Sequence, residues 1–228
     1  GYPVSVYLTT YYSDYNRPVF DPMCAYLFWK GTGKRLELPG ILNGGGADSE
    51  NLKRILLYAK QQSLNGVEKD RLLANIADQL GIDYEALCKE RLLTLMRPAE
   101  VSELAAAGVD FQLHTHRHRA YRERKKWLRE IDENQERITA ATGSRAQHFC
   151  YPSGFYLPEY PGWLREHGVT SGTTCEPGLA QAKSDLCLLP RLMDTRNLSD
   201  TAFRGWITGV AEFLPKRRSE MSDWPLMD

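Results

Sequence analysis

Two histidines that lie four residues apart are the side chains of this sequence best suited to chemistry. The segment 113–119 reads LHTHRHR, with His114 and His118 directly after an apolar run. Neutral imidazole nitrogens bind Zn²⁺, Co²⁺, Ni²⁺ or Fe²⁺. The spacing lets both rings face one ion if the chain turns helically after Thr115, whereas His116 would point away. It therefore predicts a metal site at His114 and His118, and the alternative is a polar loop with solvated histidines.

A second segment, 149–156 with the sequence FCYPSGFY, could supply a backbone hydrogen-bond donor. The run from Tyr151 to Gly154 would force a tight turn at the end of a strand, and such a turn can aim a peptide N–H into a site. Oxyanion holes are built from donors of this kind. The alternative is an ordinary turn that contains proline and glycine.

Both segments follow stretches that are typical of β-strands, and helical patterns separate these stretches. The run from Pro3 to Thr10 (PVSVYLTT) has no charge and many β-branched residues, which predicts a strand buried on both faces of a parallel sheet. Helices are predicted from the apolar face of Trp127 and Ile131, which stops at Gly143, and from 163–167. Strands alternating with helices indicate an α/β fold. Further strands are predicted at 109–113, 147–151, 169–174 and 186–193.

The residues between the first strand and the histidines have a different pattern. Two apolar stripes at helical spacing, in 52–59 and 72–80, follow a glycine-rich run at 40–48. We therefore predict a flexible loop at 40–48 and a mainly helical stretch at 48–92. The domain prediction is a barrel-like part of residues 1–20 and 93–228 with a mainly helical insertion at 21–92.

Composition narrows the classes of function. The chain has 228 residues, of which 42% are hydrophobic, and its 29 Lys and Arg balance 29 Asp and Glu, so no overall charge attracts nucleic acid. No apolar run approaches the roughly 20 residues of a membrane span. The five cysteines form no C-x-x-C pair, which indicates free thiols in a reducing compartment. We accordingly expect a cytoplasmic protein, although a chain that opens at Gly1 could have lost an upstream signal.

Taken together and in this order, the segments resemble the polysaccharide deacetylases, the carbohydrate esterases with a NodB homology domain. Residues 3–10 resemble the second barrel strand of that family, and His114-Thr115-x-x-His118 resembles its metal motif. Phe149-x-Tyr151-Pro152-Ser153-Gly154 resembles its substrate-groove motif, and Leu189-Pro190-Arg191 a late strand that brings an arginine to the site. The resemblance implies an incomplete (β/α) deacetylase-type barrel with a helical insertion.

The resemblance also implies an activity, the N-deacetylation of acetamido sugars in an oligo- or polysaccharide such as an exopolysaccharide. A divalent metal, with Zn²⁺ ahead of Co²⁺, Ni²⁺ and Fe²⁺, would be held by His114 and His118 and would polarise the acetyl carbonyl. An aspartate would act as base, and the backbone N–H of Ser153 would donate to the oxyanion. Tyr151, Pro152 and Arg191 are the expected substrate-binding residues.

Two departures from the family pattern bear on that activity. The family's first motif, two consecutive aspartates and a glycine at a strand end, supplies the base and a third metal ligand, yet no two aspartates are adjacent here. The usual late histidine, the general acid, is also missing, since no histidine follows His167. We therefore expect the chain to be a fragment of the enzyme. The alternatives are a noncatalytic carbohydrate-binding module on a degenerate barrel and a two-histidine metal hydrolase that does not act on glycans.

Overall fold

The computed structural model describes residues 2–195 and 198–210 of the chain. Two short 3₁₀ turns occur at Pro152–Gly154 and Leu186–Leu188. No helix in these described ranges is both long enough and apolar enough to cross a membrane. The other elements, in chain order, are β1 (Ser5–Leu8), α1 (Tyr11–Tyr15), α2 (Phe20–Lys30), β2 (Arg35–Leu38), β3 (Leu42–Gly46), α3 (Ser49–Gln61), α4 (Gly66–Gln79), α5 (Tyr84–Lys89), α6 (Pro98–Ala106), β4 (Asp110–Leu113), α7 (Arg124–Thr142), β5 (His148–Cys150), α8 (Tyr160–Glu166), β6 (Ser171–Thr173) and α9 (Asp200–Ile207).

The chain forms two compact units. The sheet unit contains the described residues of 1–11 and 98–228, and the inserted unit contains residues 12–97. The boundaries therefore fall at 11/12 and 97/98, compared with 20/21 and 92/93 in the prediction from sequence.

The sheet unit is built on four parallel strands in the order β1-β4-β5-β6. Leu8 pairs with Leu113, Leu113 with Phe149, and Phe149 with Gly172, so the carboxyl ends of the strands are aligned at one edge of the sheet. Helices α7 and α8 connect consecutive strands, which confirms the predicted α/β class and matches part of a (β/α) barrel.

An aromatic cluster holds two of these helices against the sheet. Trp127 of α7 is fully buried and stacks on Tyr160 of α8, with ring centroids 4.0 Å apart. The edge of Phe149 in β5 meets the same indole, with centroids 5.6 Å apart. Offset and edge-on aromatic pairs add about 0.5–1.5 kcal/mol beyond the burial of their area. Helix α7 then ends at Gly143, whose left-handed φ of 73° is typical of a helix C-terminus.

The inserted unit surrounds an apolar core of its own. Helices α2, α3 and α4 pack with the antiparallel β2–β3 hairpin, and α5 packs against α4. Helix α4 begins with a capping box formed by Asn65 and Glu68. Helices α3, α4 and α5 occupy most of residues 48–92, for which a helical structure is predicted. The fully buried core residues include Met23, Leu27, Ile55, Leu73 and Ile76.

Three sequence predictions about strands and loops are wrong in detail. The glycine-rich run at 40–48 is not a flexible loop but contains β3, which pairs with β2. Glycine is needed at Gly45, because a Cβ there would clash with the side-chain amide of Asn51. The strand predicted at 186–193 is a 3₁₀ turn followed by one bridge at Leu189, since the proline after it cannot donate to a ladder. The first strand is not buried on both faces, because Ser5 of β1 is exposed and Val6 and Tyr7 are only partly buried.

Candidate active site

The rings of His114 and His118 lie side by side just beyond β4. Their centroids are 4.8 Å apart and their planes meet at 68°. The sequence predicts a helical turn after Thr115, but the chain does not form one. Instead Thr115 and His118 adopt left-handed conformations with φ of 62° and 55°, and this sharp turn brings the second ring back over the first.

His114 is fixed in the form that a metal ligand needs. Its Nδ1 lies 2.6 Å from the carbonyl oxygen of Cys150. A carbonyl oxygen can only accept, so Nδ1 carries the proton and Nε2 keeps its lone pair. Burial, together with the nearby charges of His118 and Arg191, lowers the pKa of His114 to about 4, which keeps the ring neutral at pH 7. Metal-ligating histidines commonly donate their second nitrogen in this way, so the residue fits a divalent cation.

His116 faces away from this pair, as the spacing predicts, and belongs to the packing of the unit. Its ring is nearly buried and its Nδ1 lies 2.8 Å from the Thr10 hydroxyl. The backbone carbonyl of His116 accepts from the N–H of Tyr11 at 2.8 Å. His116 therefore connects the segment after β1 to the histidine turn.

Ser153 presents its backbone N–H at the end of the next strand, β5. Its φ of 54° lies in the left-handed region, and the N–H groups of Gly154 and Phe155 donate to the carbonyls of Tyr151 and Pro152. Within the described ranges no protein group accepts from the Ser153 N–H, and Ser153 is exposed. The N–H of Ser153 is therefore a candidate backbone donor to an oxyanion.

Gly154 makes the turn possible. Its φ is 73°, and a Cβ there would lie 2.6 Å from the Cβ and 2.9 Å from the backbone nitrogen of Cys175. Both the backbone conformation and the close approach of Cys175 therefore require glycine.

Tyr151 and Pro152, the residues that the sequence predicts to bind substrate, begin the turn that follows β5. Both are buried, and the Tyr151 hydroxyl donates to the carbonyl oxygen of Cys187 at 2.8 Å. Burial raises the pKa of Tyr151, so the hydroxyl stays protonated as a donor. The ring of Tyr151 packs against those of Phe149 and Tyr156, with centroids 5.0 and 5.5 Å away.

Arg191 belongs to the same cluster because it contacts two cysteines, and no sequence pattern groups these cysteines with it. Its Nη1 is 3.2 Å from the sulfur of Cys150 and its Nη2 is 3.0 Å from that of Cys175. Because the carbonyl of Cys150 also accepts from His114, this cysteine links the arginine to the histidine pair. The Nε of Arg191 is also buried, and it has no hydrogen-bond partner among the described residues.

His114 and His118 are the two candidate metal ligands of this cluster. No group of three His, Cys, Asp or Glu side chains within 2–195 and 198–210 is arranged to hold a metal ion. A catalytic metal site ordinarily has three protein ligands and an open position, and His114 and His118 would supply two of the three.

The family model for polysaccharide deacetylases matches residues 71–172, just under half of the chain. This range contains both histidines and the turn at Ser153. The match confirms the resemblance to the polysaccharide deacetylases that the motifs predict. A comparison with curated proteins found no match.

Several solved structures are similar to parts of this chain at low sequence identity. A polysaccharide deacetylase from Bacillus cereus aligns at 17% identity with a TM-score of 0.42, over 51% of this chain and 38% of its own length. The deacetylase PplD of Streptococcus pyogenes, in complex with acetate, aligns at 14% identity with a TM-score of 0.46, over 90% and 95%. IcaB from Ammonifex degensii aligns at 17% identity with a TM-score of 0.40, over 85% and 86%.

Proposed function

We propose that this chain carries the metal-binding and oxyanion-stabilising residues of an enzyme that deacetylates N-acetylated glycans. The observation that supports this best is the edge of the sheet where two histidine rings, 4.8 Å apart, follow β4 and an unpaired Ser153 N–H follows β5 among the described residues. The family match spans both features. An oligo- or polysaccharide of the exopolysaccharide type, in a cytoplasmic setting, is the substrate class that we propose.

The histidines would hold a divalent cation, for which Zn²⁺ is the first candidate and Co²⁺, Ni²⁺ or Fe²⁺ the alternatives. When bound, such a cation polarises an acetyl carbonyl and acidifies a water molecule. His114 remains neutral because of its burial, and the carbonyl of Cys150 fixes the tautomer that leaves Nε2 available.

Ser153 would act through its backbone rather than through its hydroxyl. Its N–H would donate to the oxygen of the acetyl group as negative charge develops there, and Gly154 and Tyr151 would keep that N–H aimed outward. Removing one such donor costs about 100- to 1000-fold in rate.

The base and the third metal ligand are proposed to come from a segment other than the described residues. Since the described residues include no third His, Cys, Asp or Glu arranged beside the pair, this chain alone should bind metal weakly and turn over little substrate. A positioned general base contributes roughly 100- to 10,000-fold.

The test compares acetate release from an N-acetylglucosamine oligomer, in the presence of Zn²⁺ or Co²⁺, by this chain and by a chain extended at its N-terminus. The longer chain should release acetate, and His114→Ala or His118→Ala should abolish the release. His167→Ala is the matched control, because His167 lies apart from the pair and contacts Asp132. Full activity in both histidine variants would refute the proposed mechanism.

A noncatalytic carbohydrate-binding role is the second candidate, and the same two-ligand arrangement favours it. Calorimetry with the oligomer distinguishes the two. A binding module would bind it without added metal, and His114→Ala would not change its affinity.

A further inference from the structure

Asn134 is an amide fully buried in the middle of α7. A buried amide is costly unless its polar atoms are hydrogen-bonded, and an apolar residue would be the default at such a helix position. Asn134 therefore needs hydrogen-bond partners that offset the cost of its burial.

The carboxamide of Asn134 is satisfied by three groups from two distant parts of the chain. Its Oδ1 accepts from the backbone N–H of His114 at 2.8 Å. Its Nδ2 donates to the carbonyl of Leu8 at 2.9 Å and to the hydroxyl of Thr10 at 3.1 Å. One side chain thus joins the end of β1 to the first residue of the histidine turn.

Glu130, one helical turn earlier, holds the next part of the same turn. Its backbone carbonyl accepts from the N–H of His116 at 3.1 Å, and its carboxylate accepts from the N–H of Arg117 at 2.6 Å. Left-handed non-glycine residues such as Thr115 and His118 cost about 1–3 kcal/mol each and persist only where the surroundings impose them. Helix α7 supplies such surroundings, with Asn134 at the His114 end.

We infer that Asn134 is a positioning residue that sets the backbone of His114 and so keeps the two imidazoles convergent for a metal ion. The metal part of this inference rests on the proposed function. The position needs an acceptor for His114 and a donor for Leu8 at once. Leucine, of similar size, offers neither, and aspartate keeps only the acceptor.

The experiment uses the whole 228-residue chain and the variants Asn134→Leu and Asn134→Asp. Ile138→Ala is the matched control, because Ile138 lies one turn further along α7 and is 1% exposed. Two quantities are measured: the affinity for Co²⁺ by competition with a chromophoric chelator, and the NMR cross-relaxation between the rings of His114 and His118 without metal.

Asn134→Leu should weaken Co²⁺ binding by about 10- to 100-fold, the range seen when groups behind metal ligands are removed. It should also abolish the signal between the rings, and Asn134→Asp should retain more of both. Ile138→Ala should lower the melting temperature yet preserve both quantities. If Asn134→Leu keeps the ring signal, or if Ile138→Ala loses it equally, the inference is overturned.

The two readouts also separate this inference from the proposed function. A wild-type chain that binds no Co²⁺ would argue against the metal site, while the ring signal would still decide the role of Asn134. Should Asn134→Leu not fold, Thr10→Val removes the hydroxyl to which Nδ2 donates. That variant should show the same two losses in weaker form, and unchanged values would overturn the inference.

Discussion

The inserted unit and the sheet unit bury different kinds of side chain. The core cluster of the inserted unit is apolar, and among the described residues of this unit Ser13 is the one buried polar side chain. The sheet unit buries the polar residues Thr10, Gln112, Thr115, His116, Glu130, Asn134 and Thr174.

The buried polar groups of the sheet unit make directional contacts with the backbone near the candidate site. Asn134 and Glu130 bind N–H groups of the histidine turn, and Gln112 accepts from the N–H groups of 147 and 148 at the start of β5. An apolar core tolerates conservative changes, whereas such a network loses a partner with each change. The difference indicates that buried polar contacts fix the backbone near the candidate site, whereas the core of the inserted unit is held by apolar packing.

The largest effect is expected in the apolar core. Replacing Ile76, which is fully buried in α4, with alanine should lower the free energy of unfolding by about 2–5 kcal/mol in a urea titration. Leu57→Ala, at a side chain 52% exposed, should change it by about 0.5 kcal/mol or less. If Ile76→Ala also separated the rings of His114 and His118, the contrast between the units would fail.

The next effect concerns pH and belongs to the sheet unit. The unfolded chain binds a proton at His114 below about pH 6.5, but the folded chain does so only near pH 4, so unfolding takes up a proton in this window. Stability should therefore fall as the pH drops from 6.5 to 4, by at most about 3 kcal/mol.

Urea titrations at several pH values, compared with His114→Gln, isolate this contribution from that of the carboxylates. The variant should show a flatter profile between pH 6.5 and 5. Parallel profiles for the two proteins would mean that His114 titrates normally in the folded state.

The smallest effect on stability is expected from crowding at the turn that contains Ser153 and Gly154. Gly154→Ala and Gly143→Ala both place alanine at a φ of 73°, but only at Gly154 does the new Cβ meet other atoms, those of Cys175. Gly154→Ala should therefore destabilise the protein by about 1–3 kcal/mol more than Gly143→Ala, as measured by thermal unfolding. Equal losses would show that Cys175 can move aside, and that the turn is less rigid than the core.

The features that could be predicted from sequence follow from local patterns. The stripe containing Leu73 and Ile76 predicts α4, and the alternation of strands and helices predicts the α/β class. The spacing of His114 and His118 places both rings on one side, even though the turn that achieves this differs from the predicted one.

The remaining features depend on partners that are distant in sequence. The residue types of the sequence HTHRH do not favour left-handed conformations. Thr115 and His118 adopt them because the turn is hydrogen-bonded to α7. The contacts of Arg191 with Cys150 and Cys175 likewise arise only when β5 and β6 pair. Glycine also has a low strand propensity, so the sequence of β3 does not predict a strand. The strand forms because β2 pairs with it.

The backbone bond between the N–H of Val19 and the carbonyl of Leu93 bears on how the chain reaches its fold. β1 and β4 pair directly, although roughly 100 residues separate them, and closing so long a loop slows folding. Once the inserted unit has formed, Val19 and Leu93 are neighbours, and the loop that β1 must close shortens to roughly 30 residues. That shortening lowers the entropic cost of the pairing by about 1 kcal/mol. Folding of the inserted unit ahead of the sheet would thus bring the two strands within reach of each other.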